Sequence, residues 1–403
     1  MTALVLGLAR SGRAAALALA RRGERVIGVD RSPDAEVGRL AEAGVEVHLG
    51  TEEASLLEGT DLLIKSPGVP ADSPLVAAAR QRGTPVWSEV ELGSRLLSNP
   101  LLGVTGTNGK TTTSELLGAM LEAPVAGNVG RALTELDGEV EAGKWIVCEL
   151  SSFQLEDVHQ FRPQIGVLLN LEPDHLDRHG TFEAYRDAKL RIFENQGPGD
   201  TAVVPRGFGE VPGGAERLEF SAGDPLPAEL RIPGAHNREN AAAATVAARA
   251  AGASEAQISE ALRVFPGVPH RLEEVGEVNG VRFVNDSKAT NAAAARRAIA
   301  AFEQPLHVIL GGLGKNESYA DLAADLRVRQ ARAYLIGAAA PALGAAIGDH
   351  ELSGDLATAV RAASAAAKPG EIVLLSPACA SYDQFHDFEE RGDEFRRLVG
   401  ELR

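Results

Sequence analysis

The residues best suited to chemistry form a glycine-bearing loop, Gly103–Thr113, between a strand-like apolar segment, Leu101–Val104, and a helix-like segment, Ser114–Leu121. In such a loop the backbone N–H groups and the positive end of the following helix dipole converge on an anion. A lysine in the loop reaches the outer phosphates of a nucleotide, and the hydroxyl next to it holds Mg²⁺. We therefore interpret Lys110 as a phosphate-binding lysine and Thr111 as a magnesium ligand.

The loop departs from the usual nucleotide-binding pattern at its start. Counting back from Gly109-Lys110-Thr111 puts Val104 where the first glycine of that pattern belongs. The alternative interpretation is a glycine-rich turn that only joins a strand to a helix. Polar residues at the ends of two other predicted strands favour the phosphate loop.

Two apolar runs downstream of the loop end in polar residues. The run Trp145–Cys148 ends in Glu149, and the run Ile165–Leu169 ends in Asn170, with His175 shortly after. Ligands of parallel α/β sheets bind at the carboxyl ends of strands, which places Glu149 as a second oxygen ligand for Mg²⁺. Two cations would neutralise charge on a transferring phosphoryl group. The alternatives are an acidic helix cap for Glu149 and a structural role for His175.

A second glycine-containing turn, Gly7–Gly12, follows the first predicted strand, and Asp30 ends the second strand. This arrangement is similar to a dinucleotide-binding fingerprint, but Ala9 stands where a second glycine would let the backbone approach a pyrophosphate. A dehydrogenase is therefore disfavoured. The remaining alternative is a turn that only packs a helix on the sheet.

Strand-like and helix-like segments alternate along the 403 residues, which predicts an α/β protein with parallel sheets. In the first part of the chain the predicted helices are Arg13–Arg22, Glu36–Ala43 and Ser73–Arg82. The turn-rich sequence around Pro266 marks the start of a third block. We expect three domains, at residues 1–88, 89–267 and 268–403.

Composition limits the partners and the compartment. A formal net charge of -16 disfavours nucleic acid and acidic membrane surfaces as partners. The N-terminus lacks the pattern of a secretory signal and no apolar stretch is long enough to span a bilayer, so we expect a cytoplasmic protein. Cys148 and Cys379 lie in apolar runs, which predicts two buried thiols rather than a disulfide or a zinc site.

Several ordered motifs together resemble the ATP-dependent Mur ligases of peptidoglycan precursor synthesis. The resemblance rests on Gly103–Thr113, Gly127–Gly130, Glu149, His175, Lys189, His236–Asn240, His270-Arg271, Asn285–Asn291 and Ser376–Phe385. Within the family, the segments Ser151–Glu156, Asn285–Asn291 and Ser376–Phe385 are similar to those of the members that add D-glutamate. The resemblance covers all three predicted domains.

The resemblance implies a Rossmann-like domain that binds a uridine nucleotide, a central P-loop ATPase domain with a parallel sheet, and a Rossmann-like C-terminal domain. It implies binding of the UDP-linked substrate by Ser11, Asp30, Gly68, Asn128 and His175. The implied ATP-binding residues are Gly106, Thr107, Asn108, Gly109, Lys110, Thr111, Thr112, Asn240, Arg271 and Asp286. Those implied for D-glutamate are Lys288, Thr290, Lys315, Ser381, Tyr382 and Phe388.

The implied reaction joins D-glutamate to UDP-N-acetylmuramoyl-L-alanine through an acyl phosphate and a tetrahedral intermediate. Lys110, His175 and Lys189 are the implied catalytic residues, and the ligands of two Mg²⁺ ions are Thr111, Glu149, His175 and a carbamylated Lys189. A carbamate suits such a place because its anionic oxygens bind hard cations, which would repel an ammonium. By pattern alone Lys189 would be a solvated helix lysine. We expect a monomer.

Three alternatives stay open at this point. A sibling of the same family would add a different amino acid. A P-loop small-molecule kinase would yield a stable phosphate ester, whereas a ligase releases inorganic phosphate only when its amine acceptor is present. A nucleotide-dependent scaffold would bind ATP without acceptor-dependent turnover.

Overall fold

The computed structural model describes residues 1–232, 234–314 and 317–402. Its strands form three sheets flanked by helices, which confirms the predicted α/β class with parallel sheets. The chain divides into two compact units. The first comprises Met1–Leu230 and His236–Val264, and the second comprises the described residues of Arg231–Ala235 and Phe265–Arg403. The first two sheets belong to the first unit, and the predicted domain boundaries stay predictions.

The first sheet is parallel throughout. Its strands are β1 (Thr2–Leu6), β2 (Arg25–Asp30), β3 (Glu46–Leu49), β4 (Leu62–Lys65) and β5 (Val86–Ser88), and its helices are α1 (Arg10–Arg21), α2 (Pro74–Arg82) and α3 (Glu89–Leu96). The strand order is β3-β2-β1-β4-β5. Apolar side chains of β1 are buried on both faces, as expected for a parallel strand covered by helices on both sides.

The predicted helix Glu36–Ala43 is wrong. Only a short 3₁₀ turn, Gly38–Leu40, forms there before the chain enters β3. Gly38 and Gly44 adopt φ values of +51° and +80°, which lie outside the α-helical region. The two glycines therefore end any helix that the residues between them would favour.

The second sheet is also parallel throughout. Its strands are β6 (Leu101–Thr105), β7 (Val125–Gly127), β8 (Ile146–Glu149), β9 (Ile165–Leu168), β10 (Thr201–Pro205) and β11 (Glu216–Phe220). The helices of this part are α4 (Lys110–Leu121), α5 (Ser152–Leu155), α6 (Leu176–His179), α7 (Phe182–Leu190), α8 (Ala235–Ala250) and α9 (Glu255–Val264). In the order β11-β10-β9-β6-β8-β7, β6 lies between β9 and β8. The loops that follow these three strands therefore meet at one edge of the sheet.

The second unit contains a mixed sheet with the order β12-β13-β17-β14-β15-β16. Its strands are β12 (Glu273–Val278), β13 (Val281–Asn285), β14 (Leu306–Gly311), β15 (Arg332–Ile336), β16 (Glu351–Gly354) and β17 (Ile372–Leu375). Its helices are α10 (Ala292–Ala300), α11 (Ala320–Val328), α12 (Ala340–Ile347), α13 (Leu356–Ala366) and α14 (Phe388–Glu401). In the part of the chain that the structure describes, β12 and β13 pair antiparallel, and the other neighbouring strands of this sheet pair parallel.

Glu91 in α3 links the first sheet to the second within the first unit. Its fully buried carboxylate accepts hydrogen bonds from the backbone N–H groups of His159 at 2.9 Å, Gln160 at 3.1 Å and Phe161 at 2.9 Å. The carboxylate also pairs with Arg95 one turn later in the helix. Donors of this kind offset the cost of burying a carboxylate, so α3 and the 159–161 segment depend on each other.

Both cysteines are free and buried, as predicted. Among the described residues, no helix combines the length and the apolar character that crossing a bilayer would require.

Candidate active site

The loop between β6 and α4 owes its shape to two glycines. Gly106 has a φ of +152°, and Gly109, the N-cap residue of α4, has a φ of +84°. A Cβ atom on Gly109 would overlap the Oδ1 atom of Asn240 in α8. Glycine at this position therefore provides both the left-handed backbone and the room for Asn240, and the structure brings Asn240 together with the predicted phosphate loop.

Two lysines lie against this loop. The Nζ atom of Lys110 donates to the carbonyl oxygens of Gly106 and Thr107, both at 2.9 Å, and the Nζ atom of Lys189 in α7 donates to Gly106 at 2.8 Å. Lys189 is only 2% exposed, so it is not the solvated helix lysine that pattern alone would predict. Burial, followed by the charge of Lys110, lowers the pKa of Lys189 to about 6. At neutral pH its amine is therefore mostly uncharged and nucleophilic.

Glu149 ends β8, which pairs with β6 through Val104 opposite Glu149. One of its oxygens, Oε1, accepts a hydrogen bond from the Nδ2 atom of Asn128 at 2.8 Å. The other, Oε2, is buried and has no hydrogen-bond partner in the described part of the chain. A buried carboxylate oxygen that lacks a donor fits a bound cation, which supplies the missing positive charge.

The first turn of α4 contains the buried Thr111, the other oxygen ligand that the sequence predicts. No group of three or more His, Cys, Asp or Glu residues that could hold a metal ion occurs among the residues described. A cation here would therefore have few protein ligands, Glu149 and Thr111 among them, and Mg²⁺ commonly completes such a set with water and substrate phosphates.

An aromatic series connects His175 with Lys189. The His175 ring lies 4.9 Å from the ring of Phe153, which stacks on His179 at 5.4 Å. Tyr185 packs edge-on against His179 at 5.3 Å, and its ring centroid lies 4.8 Å from the Nζ atom of Lys189. The predicted catalytic residues His175 and Lys189 thus belong to one packed cluster, although His175 itself is half exposed.

Residues after β9 hold the phosphate loop in place. The backbone N–H groups of Thr107 and Asn108 donate to the carbonyl and side-chain oxygens of Asn170, at 3.1 and 2.8 Å. The Nδ2 atom of Asn108 donates to Glu172 at 2.9 Å, and the hydroxyl of Tyr185 donates to Thr107 at 3.0 Å. Sequence reasoning did not identify Glu172 or Tyr185 as site residues. Tyr185 could have been found from its spacing, four residues before Lys189 on the same helix face.

A cavity of about 590 Å³ lies beside the first sheet in the first unit. Four of the five residues predicted for the UDP-linked substrate line it: Ser11, Asp30, Gly68 and Asn128. Of the described residues, Arg10, Arg31 and Gln154 also line the cavity, whereas His175 does not. Arg10 was not predicted, and its Nη2 atom donates to the carbonyl oxygen of Asn128 at 3.0 Å.

The Gly7–Gly12 turn packs closely against the loop that follows β4. A Cβ atom on Gly12 would overlap the carbonyl oxygen of Gly7, and one on Gly7 would crowd Ser66. The hydroxyl of Ser66 donates to the Gly7 carbonyl at 2.6 Å. Asp30 holds the turn from the other side, because its Oδ2 atom accepts the N–H of Leu8 at 2.6 Å.

In the second unit, the buried Asp286 directly follows β13, and its N–H donates to the carbonyl of Leu375 at the end of β17, at 2.7 Å. Its Oδ2 atom accepts a hydrogen bond from the hydroxyl of Ser376 at 2.7 Å, and its Oδ1 atom accepts one from the N–H of Leu272 at 3.2 Å. Burial raises the pKa of Asp286 to about 7, although the charge of Arg271 opposes the shift. The predicted pair Arg271 and Asp286 therefore interacts electrostatically.

Of the residues predicted for D-glutamate, those that the structure describes lie in two segments of the second unit. The Nζ atom of Lys288 lies 5.7 Å from the ring centroid of Phe388, and the N–H of Thr290 donates to the carbonyl of Lys288 at 2.9 Å. Ser381 is buried and Tyr382 is 70% exposed. Lys315 lies outside the described residues.

Three family models match successive parts of the chain. The Mur ligase MurD-like N-terminal domain matches residues 1–88, the Mur ligase middle domain matches 104–208, and the Mur ligase glutamate ligase domain matches 270–379. The UDP-N-acetylmuramoylalanine–D-glutamate ligase of Anaeromyxobacter dehalogenans (strain 2CP-C) is 43% identical to the chain, covering 98% of it and 97% of the relative. The chain belongs to the Mur ligase family. The ligase of the same name from Bacillus subtilis (strain 168) is 40% identical to this Mur ligase, over 99% of the chain and 97% of the relative.

Solved structures share the fold of this Mur ligase. UDP-N-acetylmuramate-alanine ligase MurC from Thermotoga maritima superposes with a TM-score of 0.62 at 21% identity, covering 100% of both chains. The MurF ligase from Thermotoga maritima gives a TM-score of 0.60 at 17% identity, covering 94% of this Mur ligase and 96% of that chain. The likeness confirms the fold that the sequence motifs imply.

Proposed function

We propose that this Mur ligase is an ATP-dependent enzyme that adds D-glutamate to UDP-N-acetylmuramoyl-L-alanine during cytoplasmic peptidoglycan precursor synthesis, acting as a monomer. The observation that carries the proposal is the convergence of Lys110 and Lys189 on the Gly106 carbonyl of the phosphate loop. The substrates are supported by the two relatives named above, which are D-glutamate ligases at 40% and 43% identity.

The phosphate loop binds ATP in this proposal. The N–H groups at the start of α4 face the phosphates, and Lys110 exchanges its two loop carbonyls for phosphate oxygens. Its ammonium then offsets the negative charge that develops during phosphoryl transfer. Asn240 lies against the same loop. In the second unit, Arg271 and Asp286 are the proposed nucleotide-binding residues.

Lys189 is carbamylated in the working enzyme. Its neutral amine attacks carbon dioxide, a new N–C bond forms, and a proton leaves to solvent, so the product is an anionic carbamate. The carbamate, Glu149, Thr111 and His175 are the proposed ligands of two Mg²⁺ ions. Bound magnesium would supply positive charge next to the transferring phosphoryl group.

The substrate carboxylate attacks the terminal phosphorus of ATP and ADP leaves. A carboxylate is a poor acyl donor, and phosphorylation gives it a leaving group. The amine of D-glutamate then attacks the acyl carbon, the tetrahedral intermediate collapses, and inorganic phosphate leaves as the amide forms. Lys288, Thr290, Lys315, Ser381, Tyr382 and Phe388 are the proposed D-glutamate residues, because a substrate with two carboxylates calls for cationic and backbone donors.

Phosphate release tests the proposal. The protein would be given MgATP and UDP-N-acetylmuramoyl-L-alanine, with D-glutamate, L-glutamate, L-alanine, L-lysine and meso-diaminopimelate supplied separately. We expect release with D-glutamate alone, and its loss in Lys110→Met. The exposed Lys144→Met is the matched control and should keep wild-type activity.

Other outcomes identify the alternatives. Release with a different amino acid would make the chain a sibling ligase. A stable phosphorylated product without any amino acid would indicate a kinase. ATP binding with no turnover under any of these conditions would indicate a scaffold.

A further inference from the structure

We propose that Arg178 is a positioning residue that holds the Ser66–Val69 loop in the shape needed to bind the UDP-linked substrate. The inference rests on the proposed function, because it concerns the same substrate. It adds a residue that neither the sequence motifs nor the comparisons assign.

The guanidinium of Arg178 holds two carbonyl groups of that loop. Its Nη1 atom donates to Pro67 at 2.7 Å and its Nη2 atom donates to Val69 at 2.9 Å. Residues 66–69 line the 590 Å³ cavity beside the first sheet. Because a guanidinium presents its donors in a rigid fork, it fixes the spacing of two acceptors in a way that a lysine ammonium cannot.

Arg178 is itself anchored on its other side. Its guanidinium carbon lies 4.0 Å from the ring centroid of Phe153, and its Nη2 atom lies 3.7 Å from the Oε2 atom of Glu156. Its side chain is 18% exposed. Stacking on an aromatic face and pairing with a carboxylate both restrict the guanidinium to one orientation. The loop carbonyls are therefore bound to a fixed group rather than to a mobile surface side chain.

A second cation contacts the same loop. Lys65, only 1% exposed, donates from Nζ to the carbonyl oxygen of Val69 at 3.3 Å and pairs with Asp157 at 2.9 Å. The Val69 carbonyl thus accepts from two cations, Lys65 in β4 and Arg178 in α6. The cavity loop is therefore held by one cation from the first sheet and by another from α6, a helix that follows β9 of the second sheet.

The position of Arg178 in the chain explains why its loss should affect function and not only stability. It lies in the single-turn helix α6, three residues after His175. The helical turn that begins at His175 therefore also contains the side chain that binds the cavity loop. The backbone N–H of Arg178 also donates to the carbonyl of His175 at 3.1 Å, which makes the two residues parts of one rigid piece.

Binding measurements on the full chain test the role of Arg178. Calorimetry would give the Kd for UDP-N-acetylmuramoyl-L-alanine and, separately, for MgATP in wild type, Arg178→Ala and Arg178→Lys. Loss of two charge-assisted hydrogen bonds should weaken binding of the UDP-linked substrate about 10- to 100-fold in Arg178→Ala. Arg178→Lys should recover part of that loss, while the Kd for MgATP stays within about twofold of wild type. In phosphate-release assays the KM for the UDP-linked substrate should rise more than kcat falls.

Arg186→Ala is the matched control. Arg186 lies in the next helix, its side chain is 43% exposed and it pairs with its neighbour Asp187, so its removal changes the net charge equally without touching the loop. It should leave both Kd values unchanged. If Arg178→Ala fails to fold, the affinity of Arg178→Lys for the UDP-linked substrate tests the inference by itself. This variant keeps the positive charge but loses the paired N–H donors of the guanidinium.

Two results would overturn the inference. One is wild-type affinity for the UDP-linked substrate in both Arg178 variants. The other is an equal loss of affinity for MgATP, which would mark Arg178 as a general stabilising residue. Failure of the wild-type chain to bind the UDP-linked substrate would overturn the proposed function as well, so the wild-type measurement separates the two failures.

Discussion

Lys110 and Lys189 donate hydrogen bonds to one acceptor, the carbonyl oxygen of Gly106, at 2.9 and 2.8 Å. Two ammonium groups so close together repel each other, and the more buried one loses its proton more readily. Lys189 is that residue, with a pKa lowered to about 6. The arrangement therefore favours the charged form of Lys110, as the proposed phosphate contact requires, and the neutral form of Lys189, as the proposed carbamylation requires.

Carbamylation of Lys189 is the first prediction. Protein equilibrated with ¹³C-bicarbonate near pH 8 should show a carbamate carbon resonance by NMR, because the amine is neutral there. Lys189→Ala should lack the resonance and lose about 10²- to 10³-fold in kcat, the scale of a lost electrostatic group in an active site. Lys144→Ala, which removes an exposed lysine, should keep the carbamate resonance and the wild-type kcat. A wild-type protein that is active without the resonance would contradict the carbamate.

Gly109 should not tolerate a side chain. Gly109→Ala adds a Cβ that overlaps Asn240 and places a non-glycine residue at φ +84°, so we expect ATP to bind about 10- to 100-fold more weakly. Gly143→Ala separates the two causes, since Gly143 has a similar φ of +82° but open space around its Cβ position. Calorimetric titration with ATP measures the difference, and equal effects of the two variants on the affinity for ATP would contradict the close-approach argument.

Asn128 should control the requirement for magnesium. Its Nδ2 atom orients the Oε1 atom of Glu149, and removal of such a supporting donor commonly costs about 10- to 100-fold in metal affinity or activity. Asn128→Ala should therefore raise the Mg²⁺ concentration that gives half-maximal activity. Titration of activity with Mg²⁺ at saturating ATP and UDP-linked substrate tests this, and an unchanged midpoint would show that Glu149 does not need Asn128.

Glu89 should make the stability of the first unit depend on pH. Its carboxylate is fully buried, with Oε1 accepting the N–H of Thr134 at 2.7 Å and Oε2 unpartnered within the described structure. Burial raises the pKa of Glu89 from 4.5 to about 7. The folded state thus holds this proton more tightly than the unfolded state, so its stabilising effect is complete below pH 4.5 and is lost as the pH rises to about 7.

The shift corresponds to about 3 kcal/mol of unfolding free energy between those pH values. Urea unfolding at several pH values should show a shallower decline for Glu89→Gln than for wild type. The exposed Glu58→Gln is the control and should follow the wild-type curve. Parallel curves for Glu89→Gln and wild type would contradict a raised pKa for Glu89.

The sequence alone was sufficient to predict those site residues whose positions follow from the order of the strands. Glu149 ends β8 and Asn170 follows β9, the two parallel strands on either side of β6, and a parallel sheet gathers the carboxyl ends of its strands at one edge. Arg178 could not be predicted in this way, because its partners Pro67 and Val69 lie more than 100 residues away in the chain. Only the packing of the two sheets in the first unit brings the three residues together.

The helix propensity of the side chains led to one wrong prediction, the helix at Glu36–Ala43. Residues Glu36–Ala43 have helix-favouring side chains, yet the left-handed backbone at Gly38 leaves only a 3₁₀ turn. The helix-like segment Ser114–Leu121 was easier to predict, because its Glu, Leu, Ala and Met residues favour a helix and α4 packs against the second sheet.

The hydrogen bonds of the Glu91 carboxyl group limit how the first and second sheets can be separated or exchanged with those of a relative. Separation of the first sheet from the second would remove the three N–H donors from the Glu91 carboxyl group and leave those donors without their acceptor. Thermal denaturation should consequently melt both sheets in one cooperative step. A chimaera that takes the first sheet and its helices from a relative must therefore take α3 and the 159–161 segment from the same relative.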